Sequence, residues 1–204
     1  MRLLTASKLL FSTPPPLNVA TPRELPRFIS LRRYRAEDRH ACLSLYAESD
    51  EARAMLRLRS EFEEFLDSPD YLRLVLTDGL QVVAMGGVGV APSFRWDLAW
   101  LVYGIEAPWH RGVGLDTVLL LARICALPRP AEPIKLVLSS VPGNPPSHED
   151  YGFQHQGRMP TLKGTVPLDC GAAMLDGAAW KRCADQLTAL GLGLNGASAR
   201  AIDV

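Results

Sequence analysis

The stretch APWHRGVGLD, residues 107–116, lies between a predicted strand, DLAWLVYGIE (97–106), and the apolar run TVLLLARIC (117–125). The first backbone N–H groups of a helix have no partner inside the helix and carry the positive end of its dipole. Gly112 and Gly114 allow the chain to wrap closely round a ligand, and Arg111 adds a fixed positive charge. The stretch therefore predicts a site for a phosphate or pyrophosphate group.

Two common phosphate-binding motifs do not fit this stretch. A Walker loop needs GxxxxGK followed by Ser or Thr, and the chain contains no such match. A dinucleotide fold needs GxGxxG after its first strand, whereas GVGLDT lacks the third glycine and lies far from the first predicted strand.

The residues here resemble the Gcn5-related N-acetyltransferases (GNAT), whose loop [QR]-x-x-G-x-[GA] follows a strand and grips the pyrophosphate of acetyl-coenzyme A. Pro108, Arg111 and Gly114 are in register with that loop, and Gly112 matches a common variant. Asp116 departs from the motif, because the family has Gly or Ala there. A carboxylate at this position suits the helix dipole but competes with a phosphate unless it points outward.

A second resemblance is in HEDYGF, residues 148–153, which is similar to the YxxxGF element of the same family. Gly152 and Phe153 match that element, and His148 stands where the family has the tyrosine that serves as general acid. The order of predicted elements is also similar to the family from about residue 28 to about residue 175.

The pattern along the chain predicts one mixed-sheet α/β domain of the acyl-CoA N-acyltransferase (GNAT-like) class with a C-terminal helix. We expect a flexible N-terminal arm over 1–26, the acetyltransferase domain over 27–175, and a C-terminal helix and tail over 176–204. Strands are predicted at 27–35, 71–76, 80–92, 97–106, 134–140 and in TVPLDCGAAML, and helices at 36–49, 50–68, after RGVG and at 176–192. Strand 97–106 and strand 134–140 should run parallel, joined by a crossover helix.

The resemblance implies transfer of an acetyl group from acetyl-CoA to a primary amine of an unidentified small molecule or peptide. His148 is then the candidate general acid, and Glu106 is the candidate base, with Asp97 as a second choice. The alternatives are a surface histidine in a polar turn and a strand-end carboxylate that meets only solvent or Arg111. The implied contacts to the coenzyme are Gly104, Ile105, Glu106, Ala107, Arg111, Gly112, Val113, Gly114, Leu115, Asp116, Thr117 and Asn144.

Aromatic residues near the predicted site have two interpretations. Trp96, Trp100 and Trp109 either line an acceptor pocket or form the edge of the core, and the core is the commoner role for indoles. Tyr103 is similarly expected in the core, and His110 at the rim of the loop.

Composition limits the class of partner. The formal net charge is zero, so nothing favours nucleic acid. The 4 cysteines are scattered without CxxC spacing, which predicts no metal site and favours a reducing compartment. No apolar run reaches the roughly 18 residues of a membrane-spanning helix. We expect a cytoplasmic location, although the N-terminal segment is also compatible with a mitochondrial presequence.

Two rival functions remain at this point. Asp116 and His148 are altered relative to the family, so the chain is alternatively a non-catalytic acyl-CoA-binding or sensing module. A third interpretation is an α/β domain whose glycine turn binds nothing. The sequence does not identify the acceptor, and a homodimer through an edge strand or the last helix stays open.

Overall fold

The computed structural model describes residues 13–17, 25, 28–49, 59–90, 97–140, 151–159 and 168–192. Its strands are β1 (Ile29–Arg33), β2 (Tyr71–Asp78), β3 (Gln81–Val90), β4 (Leu98–Glu106), β5 (Ile134–Ser140), β6 (Gln154–Met159) and β7 (Leu168–Leu175). Its helices are α1 (Arg39–Glu48), α2 (Arg59–Asp67), α3 (Leu115–Ala126) and α4 (Gly177–Ala189). Short 3-10 turns cover Ala36–Asp38 and Pro108–His110.

The strands of the described chain form one sheet in the order β1-β2-β3-β4-β5-β7-β6. Neighbouring strands are antiparallel except β4 and β5, which run parallel with Leu98–Leu101 beside Lys135–Leu138. A parallel pair needs a long crossover, and α3 provides it. The predicted mixed α/β fold and the parallel pair are confirmed.

The helices cover both faces of this sheet. Gly86 and Gly87 are consecutive in β3, so their Cα hydrogens point to opposite faces. A Cβ on Gly87 would meet the ring of Phe65 in α2, and a Cβ on Gly86 would meet Leu119 and Arg123 in α3. Helices α2 and α3 therefore pack on opposite faces, and the two glycines allow both to approach closely.

Helix α3 is almost entirely buried because the sheet covers one side and α4 covers the other. Its apolar residues from Val118 to Ala122 are at most 1% exposed. Trp180 of α4 donates its indole N–H to the carbonyl oxygen of Leu127, just beyond the end of α3, at 2.9 Å. This packing holds α3 between the sheet and α4, and the predicted phosphate site lies at the start of that helix.

One element differs from the sequence prediction. Strand β6 was not predicted, because its polar sequence QHQGRM lacks the alternation of apolar residues that is typical of a strand. In the described sheet it is an edge strand that pairs only with β7. The helix predicted over 50–68 is observed as α2 from Arg59, and its first part lies outside the described residues.

The segment 13–17 is packed against the domain, although it falls within the predicted flexible arm. Leu17 is 2% exposed, its N–H donates to the carbonyl oxygen of Met174 at 2.7 Å, and the N–H of Met174 donates to Pro15 at 2.8 Å. Strand β6 pairs with β7 only as far as Ala172, which leaves this end of β7 open to the segment. An apolar side chain and a free strand edge thus hold part of the arm in place.

The cysteines are free thiols, and Cys42, Cys170 and Cys183 are buried. Burial raises the pKa of Cys42, Cys125 and Cys183 to about 12. They pack as small apolar residues. In the described part of the chain, no helix is long and apolar enough to span a membrane.

Candidate functional site

The sheet opens where β4 separates from β5. The two strands pair only as far as Leu101 and Leu138, and β4 continues to Glu106 without a β5 partner in the described register. Both strands run toward this opening, so it lies at their carboxyl ends. Ligands of open α/β sheets bind at such edges, because the strand backbone there has free hydrogen-bonding groups.

A β-bulge in β4 accompanies the separation. Tyr103 and Gly104 together oppose the single residue Gly86 of β3. Tyr103 has a φ of 50°, a left-handed conformation that is uncommon for a residue with a side chain. A bulge bends its strand and increases the local twist, which turns the end of β4 away from β5.

Aromatic packing holds Tyr103 in this conformation. Its ring lies 4.6 Å from that of Phe65, 5.1 Å from that of Phe62 and 6.4 Å from that of Tyr46, measured between centroids. Such pairs add stability beyond that of buried area, which offsets the cost of the backbone. Tyr103 is partly buried and packs against the core.

The loop after β4, residues 107–114 and called the cradle below, contains the two glycines on which the phosphate-site prediction rests. Gly112 and Gly114 have φ values of 79° and 87°, and Gly114 is the N-cap of α3 without a side-chain hydrogen bond to the helix. Arg111 is exposed beside them. Left-handed glycines followed by a helix N-terminus present several N–H groups at one place.

Glu106 lies beside the start of α3 and accepts a hydrogen bond from the backbone N–H of Asp116. Its Oε2 atom is buried and has no hydrogen-bond partner within the described chain. Burial, reinforced by the negative charge of Asp116 and opposed by Arg111, raises the pKa of the Glu106 carboxyl to about 7. The carboxyl can therefore gain or lose a proton near neutral pH.

His110 ties the loop to the β2–β3 hairpin. Its Nε2 atom lies 3.3 Å from Oδ2 of Asp78, and its Nδ1 atom is buried without a partner in the described residues. Trp109 beside it is 58% exposed. This Trp is therefore not part of the core, whereas Trp100 packs against Leu98 at the other end of β4.

Tyr151 borders the candidate site, although it is not among the residues that the sequence predicts there. Its hydroxyl forms a hydrogen bond with the hydroxyl of Thr117 in the first turn of α3. Tyr151 is 6% exposed, and it precedes Gly152, whose φ is 83°. The only sequence signal is that a tyrosine adjoins the GF pair of HEDYGF.

The structure brings together most of the residues predicted for the site. The end of β4, the loop and the first turn of α3 are contiguous, with Ile105, Ala107 and Leu115 buried. Gly104, Arg111 and Gly112 are exposed, while Glu106, Val113, Gly114, Asp116 and Thr117 are partly exposed. His148, Asn144 and Trp96 lie outside the described residues. Asp97 precedes β4 and is about 30 Å from Glu106 along that strand, so the fold separates it from the site.

Comparison of the fold with solved structures identifies its class. The chain superimposes on the ribosomal-protein-S18-alanine N-acetyltransferase from Escherichia coli with a TM-score of 0.57 at 20% identity, covering 72% of this chain and 94% of the other. The chain has the GNAT acetyltransferase fold. An acetyltransferase of the GNAT family from Staphylococcus aureus matches with a TM-score of 0.57 at 10% identity, covering 72% and 99%.

A third GNAT-fold neighbour is a spermidine N-acetyltransferase from Vibrio cholerae, with a TM-score of 0.53 at 14% identity, covering 76% of this chain and 97% of the other. No family model and no curated protein sequence matches the chain. The GNAT fold thus rests on the structural comparison, because the sequence identity to these three proteins is only 10–20%.

Proposed function

We propose that the chain is an N-acetyltransferase that moves an acetyl group from acetyl-CoA to a primary amine. The observation that carries this proposal is the N-terminus of α3, which begins after two left-handed glycines at the open carboxyl edge of β4. The acetyltransferase fold of the neighbours supports the same assignment.

The described residues fit the pyrophosphate of acetyl-CoA in most respects. Gly112 has no atom within 4 Å of the position of a Cβ, so the loop has room beside its backbone. The N–H groups of Gly112 to Leu115 and of Thr117, together with the guanidinium of Arg111, would hold the phosphates, while the N–H of Asp116 donates to Glu106. Two carboxyl groups, Glu106 and Asp116, oppose an anion there, and protonation of Glu106 removes one of these charges.

Acetyl transfer requires three events that residues of this chain would serve. The acceptor ammonium loses a proton, and Glu106 with a pKa of about 7 would take it directly or through water. The amine nitrogen then bonds to the thioester carbon, and the oxyanion would accept hydrogen bonds from backbone N–H groups of the open β4 edge at Gly104–Glu106. The C–S bond breaks, and the thiolate takes a proton from His148, which remains our candidate acid.

The fold neighbours indicate which acceptor amines to test. Two fold neighbours act, by their names, on the alanine of a ribosomal protein and on spermidine. A panel of acceptors should therefore contain a peptide with an N-terminal alanine, spermidine, a free amino acid and an aminoglycoside. A cytoplasmic location and a homodimer stay predictions.

The test is a calorimetric titration with acetyl-CoA, followed by a thiol-release assay over this panel. Micromolar binding together with thiol release on one class of amine would establish the transferase. If the chain did not bind acetyl-CoA, the assignment of residues 107–116 would be wrong, and with it the proposed activity.

The second candidate function is a non-catalytic acyl-CoA-binding or sensing module. Asp116 favours it, since this carboxylate stands in the first turn of α3 beside Glu106 and disfavours a bound anion. Substitution His148→Ala separates the two candidates. Coenzyme A binding should survive in both cases, whereas turnover should fall only if the chain is an enzyme.

A further inference from the structure

A buried arginine reaches from α3 to the bulge of β4. Arg123 is 4% exposed, and its Nε atom donates to the carbonyl oxygen of Leu119 at 3.3 Å. An arginine is seldom buried to this extent unless its charge has partners, because removing a guanidinium from water is costly. The residues that surround the guanidinium therefore indicate why the arginine is buried there.

Two glycines on neighbouring strands make room for this side chain. A Cβ on Gly86 of β3 would lie 3.0 Å from Cδ of Arg123, and a Cβ on Gly104 of β4 would lie 3.0 Å from Nη2 and 3.2 Å from Nη1. Neither glycine has a positive φ. Their backbone conformation is open to other residues, so the space that Arg123 occupies is the reason for glycine at both positions.

The guanidinium lies against the part of β4 that has left β5. Gly104 belongs to the bulge, and its backbone is exposed although the guanidinium beside it is buried. This strand edge therefore has solvent on one side and a buried positive charge on the other. Such a charge stabilises a developing anion more strongly in a protein interior than in water.

We propose that Arg123 is a positioning residue for acetyl transfer. Its guanidinium fixes the bulge at Gly104 and places a buried positive charge behind the strand edge at which the acetyl carbonyl is held. This inference rests on the proposed function, and it concerns the rate of the chemical step rather than the binding of the coenzyme.

The experiment compares Arg123→Met, Arg123→Lys and Gly104→Ala with the wild type, using acetyl-CoA and the best amine of the panel. Arg123→Met should lower kcat by at least about tenfold and change the Kd for acetyl-CoA by less than about twofold. Arg123→Lys should recover part of kcat, because it keeps the charge without the planar group.

Gly104→Ala tests the same contact without removing the arginine. Its methyl group would displace the guanidinium, so the single variant Gly104→Ala should have a severalfold lower kcat than the wild type. Adding Gly104→Ala to Arg123→Met should lower kcat no further. Gly177→Ala is the matched control, since a Cβ there would lie 3.2 Å from Nε of Arg129, away from the site. Its kcat should equal that of the wild type.

The outcomes separate this inference from the proposed function. An inactive wild type would overturn both. An active wild type with unchanged kcat in Arg123→Met, or additive losses in the double variant, would overturn the inference alone. If Arg123→Met did not fold, a soluble Gly104→Ala with the kcat of the wild type would also overturn it.

Discussion

The Glu106 carboxyl shares a hydrogen bond with the first turn of α3, so a phosphate bound there would meet this carboxyl at close range. Above a pH of about 7 the carboxyl is ionised and repels the phosphate, and below it the carboxyl is neutral. Glu106 must lose its proton to act as a base, and the same loss of a proton weakens the affinity for the coenzyme.

We predict that the Kd for coenzyme A rises with pH through about 7, by at most about tenfold per pH unit because one proton is linked. Glu106→Gln removes the titrating group and should give a nearly constant Kd. Calorimetric titrations from about pH 6 to about pH 8 measure this. Glu132→Gln, at an exposed position before β5, is the control and should keep the slope of the wild type.

Glu106 also links pH to folding stability. Its pKa is about 7 in the folded chain and 4.5 as the ordinary value, so between these limits the folded chain keeps a proton that the unfolded chain has released. The free energy of unfolding should therefore decrease as pH rises from 4.5 to about 7. Urea unfolding should show a shallower decrease for Glu106→Gln, and equal slopes for both proteins would refute the assignment.

The cradle can be tested at Gly114, the N-cap of α3. Gly114→Glu should abolish binding of coenzyme A, because it adds a negative charge and a side chain at a φ of 87°. Arg111→Ala should weaken binding by only about tenfold, since the backbone N–H groups remain. Gly191→Glu, at a φ of 70° with open space round it, is the control for backbone strain. A larger loss for Arg111→Ala than for Gly114→Glu would mean that side-chain charge dominates.

Among the elements, α4 packs on α3, the helix whose first turn belongs to the candidate site. Asp176 caps α4 by accepting the N–H groups of Ala178 at 3.0 Å and Ala179 at 2.7 Å. We predict that Asp176→Ala lowers the free energy of unfolding by about 1 kcal/mol. Chemical denaturation measures this loss, and the Kd for coenzyme A should not change.

A matched variant on the same helix is Asp185→Ala, which removes an exposed partner of Lys181 one turn away. Such a pair contributes about 0.3–0.5 kcal/mol. If both variants had equal effects, the cap would not be the reason for the stability of α4.

The elements also show which features a sequence can predict. The loop at Arg111–Gly114 was predictable, because turn chemistry and the start of a helix depend on adjacent residues. Strand β6 was not, because an edge strand needs no apolar pattern. The bond between Tyr151 and Thr117 and the contact of Arg123 with Gly104 join distant parts of the chain, and no local periodicity indicates them.

For the whole molecule, the segment 13–17 is part of the domain's packing. We predict that Leu17→Ala lowers the free energy of unfolding by about 2–4 kcal/mol, because it removes a side chain that is only 2% exposed. Thermal unfolding measures the effect. Thr13→Ala, at an exposed position in the same segment, is the control. If Leu17→Ala were as stable as the wild type, the segment would not contribute to the packing of the domain and would belong to the predicted flexible arm.

The pairing of this segment with β7 has a consequence during synthesis on the ribosome. The carbonyl of Leu17 lies 3.5 Å from Nη2 of Arg182, a residue made 165 positions later. The segment 13–17 therefore cannot pack until β7 and α4, which are synthesised much later, are available. Contacts between such distant residues slow folding, so the nascent chain keeps Leu17 uncovered until β7 has emerged.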